Sequence, residues 1–225
     1  MKKFALIVAG GSGGRMGNPT PKQFLKIGGK PILMQTIEVF EKFDRNIEIV
    51  VVLPEKQIEV WRSLCRNHSF LVPHKIIAGG KNRFHSVRNG LSRISGEGIV
   101  FIHDGVRPFV SIETIRRCLD TAVRKGNAVP AVPITESLRK VGNGNNSAVT
   151  RTDYYLVQTP QTFLLSDIKE AYQQVYTPNL TDDASVLEAS GSTINLVEGN
   201  KENIKITDPS DLIIAEAYLQ SKTYG

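Results

Sequence analysis

Cysteine is scarce in this chain. Only Cys65 and Cys118 occur among 225 residues, far apart and with no C-x-x-C pair. That excludes a disulfide scaffold and a zinc site of the usual spacing, and it fits a reducing cytoplasm. Long apolar runs are missing as well. No segment approaches the length of a membrane span. Met1-Lys-Lys ahead of 4–9 mimics a secretory leader, but the apolar part is short and runs into glycines and Arg15. Four consecutive basic residues never occur, nor does a basic–aromatic alternation. The formal net charge of +6 therefore points to an anionic small molecule rather than to nucleic acid. Repeats, low-complexity tracts and linkers are absent too. Against these absences, 40% hydrophobic and 22% charged residues are ordinary for a globular protein, and the length suits one α/β domain spanning 1–225.

Glycine is what the chain has in concentration. Residues 4–9 read FALIVA, an apolar run suited to a strand buried on both faces. Gly10, Gly11, Gly13 and Gly14 then crowd around Ser12, a density that only a loop tolerates. Such a loop brings backbone N–H groups close to a ligand, and a nest of N–H dipoles attracts phosphate. Arg15 and Lys22 follow as fixed cations, one a planar fork and one a point charge, which suits a polyphosphate. An ordinary strand-to-helix turn is the plainer reading, but most such turns need few glycines. Two common motifs fail. The dinucleotide fingerprint would need a third glycine at Met16. The phosphate loop fails because Gly29-Lys30 meets Pro31 and Gly80-Lys81 meets Asn82.

Strand and helix patterns then alternate. Helices are expected over 32–43, 55–67, 83–94, 114–125 and 166–176, and from Pro209 onward with Asp208 as cap. Strands are expected over 47–53, 74–78, 99–102, 193–197 and 203–207. Residues 128–134 read as an edge or irregular strand because of Pro130 and Pro133. A hairpin arm is expected at about 135–157, turning at 142–147, with an alternating return over 148–155. The fold class is doubly wound α/β with a mostly parallel sheet and this arm appended. A second glycine loop, Gly79-Gly80, precedes the helix at Arg83 and reads either as a second pocket wall or as a plain helix entry. Asp104 ends the most apolar strand, where open α/β sheets bind ligands. It is a candidate Mg²⁺ ligand, or else a cap or turn residue. Arg107 reads as a substrate contact or a partner for a carboxylate, and His103 as a packing residue. Lys205 inside an apolar strand is costly unless it is paired or reaches a site.

Several of these segments together carry a resemblance. The run from Ala9 to Met16 with Pro21-Lys22-Gln23 resembles the signature of nucleotidyltransferases, and its Pro-Lys-Gln ending resembles the cytidylyltransferase branch. His103-Asp104-x-x-Arg107-Pro108, Thr159-Pro160-Gln161 and Thr181-Asp182-Asp183-Ala184-Ser185 extend the likeness over nearly the whole chain. The chain resembles the methylerythritol phosphate cytidylyltransferases of the non-mevalonate isoprenoid pathway. The resemblance implies a nucleotide-diphospho-sugar transferase fold of Rossmann-like type. It also implies CTP and a polyol phosphate as substrates, Mg²⁺, and a homodimer joined through the arm, with no nucleic acid or membrane partner. It implies catalytic roles for Arg15, Lys22, Arg151 and Lys205. Nucleotide binding falls to Ala9, Gly10, Gly11, Ser12, Gly13, Gly14, Gly80, Ser86 and Asp104, with Asp104 also the metal ligand. Arg107, Ser137, Thr159 and Thr181 would contact the second substrate. Ser137 and Glu136 stand where relatives often carry Thr and Asp, and Lys81 stands where many carry an acidic or neutral residue. Among rivals, a ribitol 5-phosphate cytidylyltransferase shares the first loop, and the 181–185 segment counts against it. A nucleotide-sugar glycosyltransferase usually carries Asp-x-Asp, whereas Asp104 is followed by Gly105-Val106. A binding module without turnover has no need of Arg15, Lys22 and Lys205 together. The failed fingerprint disfavours a dehydrogenase.

Overall fold

The computed structural model describes residues 1–10, 20–142 and 144–221. β1 (Lys2–Val8) is the apolar opening run, and Phe4 to Ile7 are wholly buried. β2 (Lys26–Ile27) and β3 (Lys30–Pro31) form a minimal hairpin, with Gly28 and Gly29 at φ 56° and 78°. Glycine, with no Cβ, takes both left-handed positions without strain. α1 (Ile32–Phe43) follows, burying Leu33, Ile37 and Phe40 along one face, as a 3.6-residue period requires. β4 (Glu48–Leu53) stops at Pro54, and α2 (Ile58–Asn67) carries Trp61, fully buried and stacked on Phe24 at 5.9 Å between ring centres. Next come β5 (Lys75–Ala78), α3 (Arg83–Leu91) and β6 (Gly98–Asp104). α4 (Ile112–Lys125) is capped by Ser111, whose hydroxyl accepts from Thr114 N, and is ended by Gly126 in the left-handed region.

The second half is less regular. It holds β7 (Asn127–Pro133), the hairpin strands β8 (Leu138–Gly142) and β9 (Asn145–Val149), then β10 (Tyr155–Val157) and β11 (Gln161–Leu164). α5 (Leu165–Ala171), α6 (Asp183–Ala189), β12 (Leu196–Glu198) and α7 (Pro209–Gln220) complete the described chain. The main sheet runs β10-β7-β11-β6-β1-β4-β5, with β12 also paired to β7. β6, β1, β4 and β5 are mutually parallel, and β11 is antiparallel to both of its neighbours. Alternate side chains serve opposite faces. Ala5 and Ile7 pack with Leu33, Phe40, Trp61 and Ile115, whereas Phe4, Leu6 and Val8 pack with Phe84, Val87, Leu165 and Ile168. Helices thus cover both faces of a mostly parallel sheet, the doubly wound arrangement expected. Among the described residues no helix is long and apolar enough to cross a membrane.

Four local expectations need correction. The strand 127–133 is not an edge. It pairs with β10 and β11 on one side and with β12 on the other. Its Pro130 is tolerated because the neighbouring path breaks there: Gln158 N donates to Pro130 O at 2.7 Å, so the proline nitrogen faces the gap between β10 and β11. Residues 203–207 are not a strand; Ile206 N, donating to Val106 O at 3.0 Å, and Asn203 Nδ2, donating to Thr159 O at 2.8 Å, are among the bonds that tie them to the core. The return over 148–155 is split, since β9 stops at Val149 and a 3₁₀ turn at Arg151–Asp153 leads into β10, which belongs to the main sheet. The helices expected at 83–94 and 166–176 stop at Leu91 and Ala171, and the one at 55–67 begins as a 3₁₀ turn, Glu55–Gln57.

Candidate active site

The parallel strands set the site. Val8 of β1 is in register with Asp104 of β6 and Val52 of β4, so the chain leaves all three strands at one level. A cavity of about 230 Å³ opens there. Ala9 and Gly10 form one wall, and Gly80 and Ser86 another. Gln23 Nε2 donates to Ala9 O at 2.9 Å and to Gln57 Oε1 at 2.6 Å, which fixes the start of the first loop. Gly80 N donates to Ser86 Oγ at 3.1 Å, and Ser86 Oγ donates to Asn82 O at 2.8 Å. A Cβ at Gly80 would come within 2.4 Å of His85 Cβ, so the second loop demands glycine there.

Charge in the cavity is one-sided. Lys22, Lys81, Arg83 and Lys205 line it, and Asp104 is the one carboxylate among the described lining residues. Asp104 is itself surrounded. Lys205 Nζ lies 2.9 Å from Oδ2, Arg107 Nε 3.4 Å from Oδ2, and Arg83 Nε 3.7 Å from Oδ1. Burial pushes this carboxyl upward, but Arg83, Lys205 and Arg107 outweigh it and hold Asp104 well below the usual carboxylate range. It is ionised at any physiological pH. A surplus of cations around one fixed anion suits a ligand that carries several negative charges.

Behind Asp104 lies a relay that fixes its backbone. Asp104 N donates to Thr159 Oγ1 at 3.1 Å, and that hydroxyl meets His103 Nδ1 at 3.1 Å. His103 Nε2 lies 2.9 Å from Arg107 O, an acceptor, so Nε2 carries the proton and Nδ1 accepts from Thr159. Burial drives the His103 imidazole down to about 4. Fully buried between two fixed partners, His103 packs and hydrogen-bonds. Arg107 Nη1 also donates to Asn203 O at 2.6 Å, which pins the 203–207 segment and delivers Lys205 to the cavity.

The residues singled out from sequence divide into groups. Ala9, Gly10, Lys22, Gly80, Ser86, Asp104 and Lys205 come together around the cavity. Arg107 and Thr159 stand one layer behind, on Asp104. Arg151, Ser137 and Thr181 are exposed and do not line it. Arg151 Nη1 donates to Thr135 O at 2.7 Å, at the foot of the β8–β9 hairpin. Gly11, Ser12, Gly13, Gly14 and Arg15 lie outside the described residues. Sequence reasoning missed Gln23 and Arg83 as site residues, although Gln23 ends the Pro21-Lys22-Gln23 motif and Arg83 opens the helix after the second glycine loop. It also missed Asp183, which reads as a plain helix-start residue until its partner is seen to come from position 83.

Comparison with known proteins agrees with this geometry. Residues 4–221 match the family model described as 2-C-methyl-D-erythritol 4-phosphate cytidylyltransferase. A relative of that name from Bacteroides fragilis is 53% identical over 219 residues, covering 97% of this chain and 100% of its own. One from Porphyromonas gingivalis is 49% identical over 222 residues, covering 98% and 99%. Among solved structures, the enzyme of the same name from Thermus thermophilus is similar at 32% identity with a TM-score of 0.76, covering 98% of this chain and 100% of that one. The 4-diphosphocytidyl-2C-methyl-D-erythritol synthase from Anaerococcus prevotii superposes with a TM-score of 0.83 at 26% identity, covering 97% and 96%. With a family match running from Phe4 to Ser221 and a relative 53% identical over its whole length, the chain belongs to the 2-C-methyl-D-erythritol 4-phosphate cytidylyltransferase family.

Proposed function

We propose that the chain transfers the cytidylyl group of CTP to 2-C-methyl-D-erythritol 4-phosphate, giving 4-diphosphocytidyl-2-C-methyl-D-erythritol and pyrophosphate, in isoprenoid precursor synthesis. The acceptor's phosphate oxygen attacks the α-phosphorus, the new P–O bond forms, and the bond to the β-phosphate oxygen breaks as pyrophosphate departs. Such a transfer needs alignment and charge neutralisation rather than a protein nucleophile. The carrying observation is the cavity with Lys22, Lys81, Arg83 and Lys205 around Asp104 at the strand ends, in a chain of this family.

Gly80 and Ser86 receive the base and ribose, and the first glycine loop receives the triphosphate. Lys22, with Arg15, neutralises charge growing on the α-phosphate and the leaving pyrophosphate. Lys205 and Arg151 hold the acceptor phosphate, which otherwise repels the triphosphate; Arg107, Ser137, Thr159 and Thr181 complete that side. Asp104 would hold Mg²⁺, an ion that accepts one carboxylate when phosphate oxygens and water fill its other positions. When bound, it clamps phosphate oxygens and offsets their charge. The exposed position of Arg151 beside the β8–β9 hairpin fits an arm that serves the cavity of a second copy, in a homodimer. The chain then acts as one nucleotidyltransferase domain in the cytoplasm, with no nucleic acid or membrane partner.

The test is pyrophosphate release with CTP, Mg²⁺ and, separately, methylerythritol 4-phosphate, ribitol 5-phosphate and a sugar 1-phosphate. Release with the first acceptor alone is expected. Release with ribitol 5-phosphate alone moves the protein to the neighbouring branch. Binding of CTP without release in any arm overturns the assignment.

A further inference from the structure

Arg83 is the first residue of α3, and Asp183 is the first of α6. A positive charge at a helix N-terminus opposes the helix dipole, so Arg83 needs a counter-charge. Asp183 supplies it at both terminal nitrogens. Arg83 Nη1 donates to Asp183 Oδ1 at 2.7 Å and Nη2 donates to Oδ2 at 2.6 Å. The Tyr172 hydroxyl donates to the same Oδ1 at 2.6 Å, and Asp183 is 0% exposed. The third guanidinium nitrogen looks the other way. Arg83 Nε is 3.7 Å from Asp104 Oδ1, and the side chain lines the cavity. Arg83 therefore stands between two carboxylates, held short and twice by one and long and once by the other.

We infer that Asp183 is a positioning residue of the transfer site: by holding both terminal nitrogens of Arg83, it keeps the guanidinium from closing on Asp104. The inference rests on the reading above that this cavity is where transfer occurs. Lys205 and Arg107 already occupy Asp104 Oδ2 at 2.9 and 3.4 Å. Oδ1 is the oxygen left for the cavity, and Arg83 released from Asp183 would take it. A bidentate arginine fork has fixed geometry, so the restraint sets direction as well as distance. Asp183 does not reach the substrates. It is buried behind Arg83 and acts only through it.

Asp183→Asn keeps the shape and an acceptor for Tyr172 while removing the charge. Turnover per folded molecule is expected to fall at least tenfold, with the KM for CTP within threefold of the original. Adding Arg83→Gln to Asp183→Asn removes the group that closes on Asp104, so the double variant is expected to turn over faster than Asp183→Asn alone. Tyr172→Phe leaves the bidentate pair in place; its turnover is expected within twofold while its urea midpoint falls. Unchanged turnover in Asp183→Asn, or a double variant no faster than that single one, overturns the inference. If Asp183→Asn does not fold, Arg83→Gln and the double variant are compared. Equal turnover supports action through Arg83, and a difference above threefold overturns it. A wild-type protein that releases no pyrophosphate with any acceptor sinks the functional reading instead, so the two failures are separable.

Discussion

Lys205 Nζ lies 2.9 Å from Asp104 Oδ2, which joins the end of the most buried strand to an irregular segment one hundred residues later. Asp104 is held by three cations, so it is a poor competitor for any one of them once phosphate arrives. Lys205 is 42% exposed at its side chain and can exchange one anion for another at little cost. Lys205→Ala is expected to lower turnover by about 10²–10³, the scale for one lost electrostatic donor. The urea midpoint should barely change. Lys205→Arg keeps the charge and should recover part of the loss; equal rates in all three proteins would remove Lys205 from the transfer site.

Lys22→Ala and Arg15→Ala are expected to lower turnover by a similar factor of about 10²–10³. Lys22 stands in a 3₁₀ turn on the cavity rim, away from the packed core, so thermal unfolding should be nearly unaltered. Pyrophosphate release at saturating CTP is the measurement. Unchanged turnover would reject the assignment of these two cations.

Thr159 carries one hydroxyl between two buried partners, Asp104 N and His103 Nδ1. Thr159→Val preserves shape but leaves both partners unsatisfied. The expected loss is about 2–6 kcal/mol, from two desolvated polar groups at about 1–3 kcal/mol each. Thr159→Ser should restore most of it. Urea unfolding of the three proteins decides the matter, and a Val variant as stable as the original would show that the relay contributes nothing.

Acid should destabilise the protein well above the range where carboxylates titrate. Burial holds His103 near 4 when folded, while an unfolded histidine titrates near 6.5. The unfolded chain therefore binds more protons between these values, and stability falls as pH drops through that window. Burial also lowers His74, which adds in the same direction. From pH 7 to pH 5, His103 alone should remove about 2 kcal/mol. Urea midpoints across that range test this. A flat profile would mean that His103 takes up its proton over the same pH range folded as unfolded.

The parallel half of the fold is legible because its signals are local. Residues 4–9, 47–53 and 99–102 are continuous apolar runs, and α1 spans the residues its apolar stripe marks. The second half is less legible because its decisive contacts are distant. Pro130 reads as an edge signal until the break at 158–160 is seen opposite it. Lys205 stands out in sequence as costly within a strand. The segment makes no strand, and the lysine is accommodated by an ion pair from position 104. Asp183 is hidden for a similar reason. Beside Asp182, whose carboxylate caps α6 at Ser185 N, it looks like more helix-start chemistry, and its distinguishing partner is Arg83.

The insertion of β11 between β6 and β7 bears on how the chain is made. β5, β4, β1 and β6 are contiguous in space and complete by residue 104, so they can assemble while the remainder is still being synthesised. β7 emerges next but has no place on that sheet, because its neighbour there arrives about thirty residues later, at Gln161–Leu164. Until then the nascent protein presents the bare flank of β6, whose backbone groups invite any passing strand. Closing that flank is a long-range step and therefore slow. The point of greatest risk in this protein's birth is the interval between the appearance of β7 and that of the short strand that must slip in ahead of it.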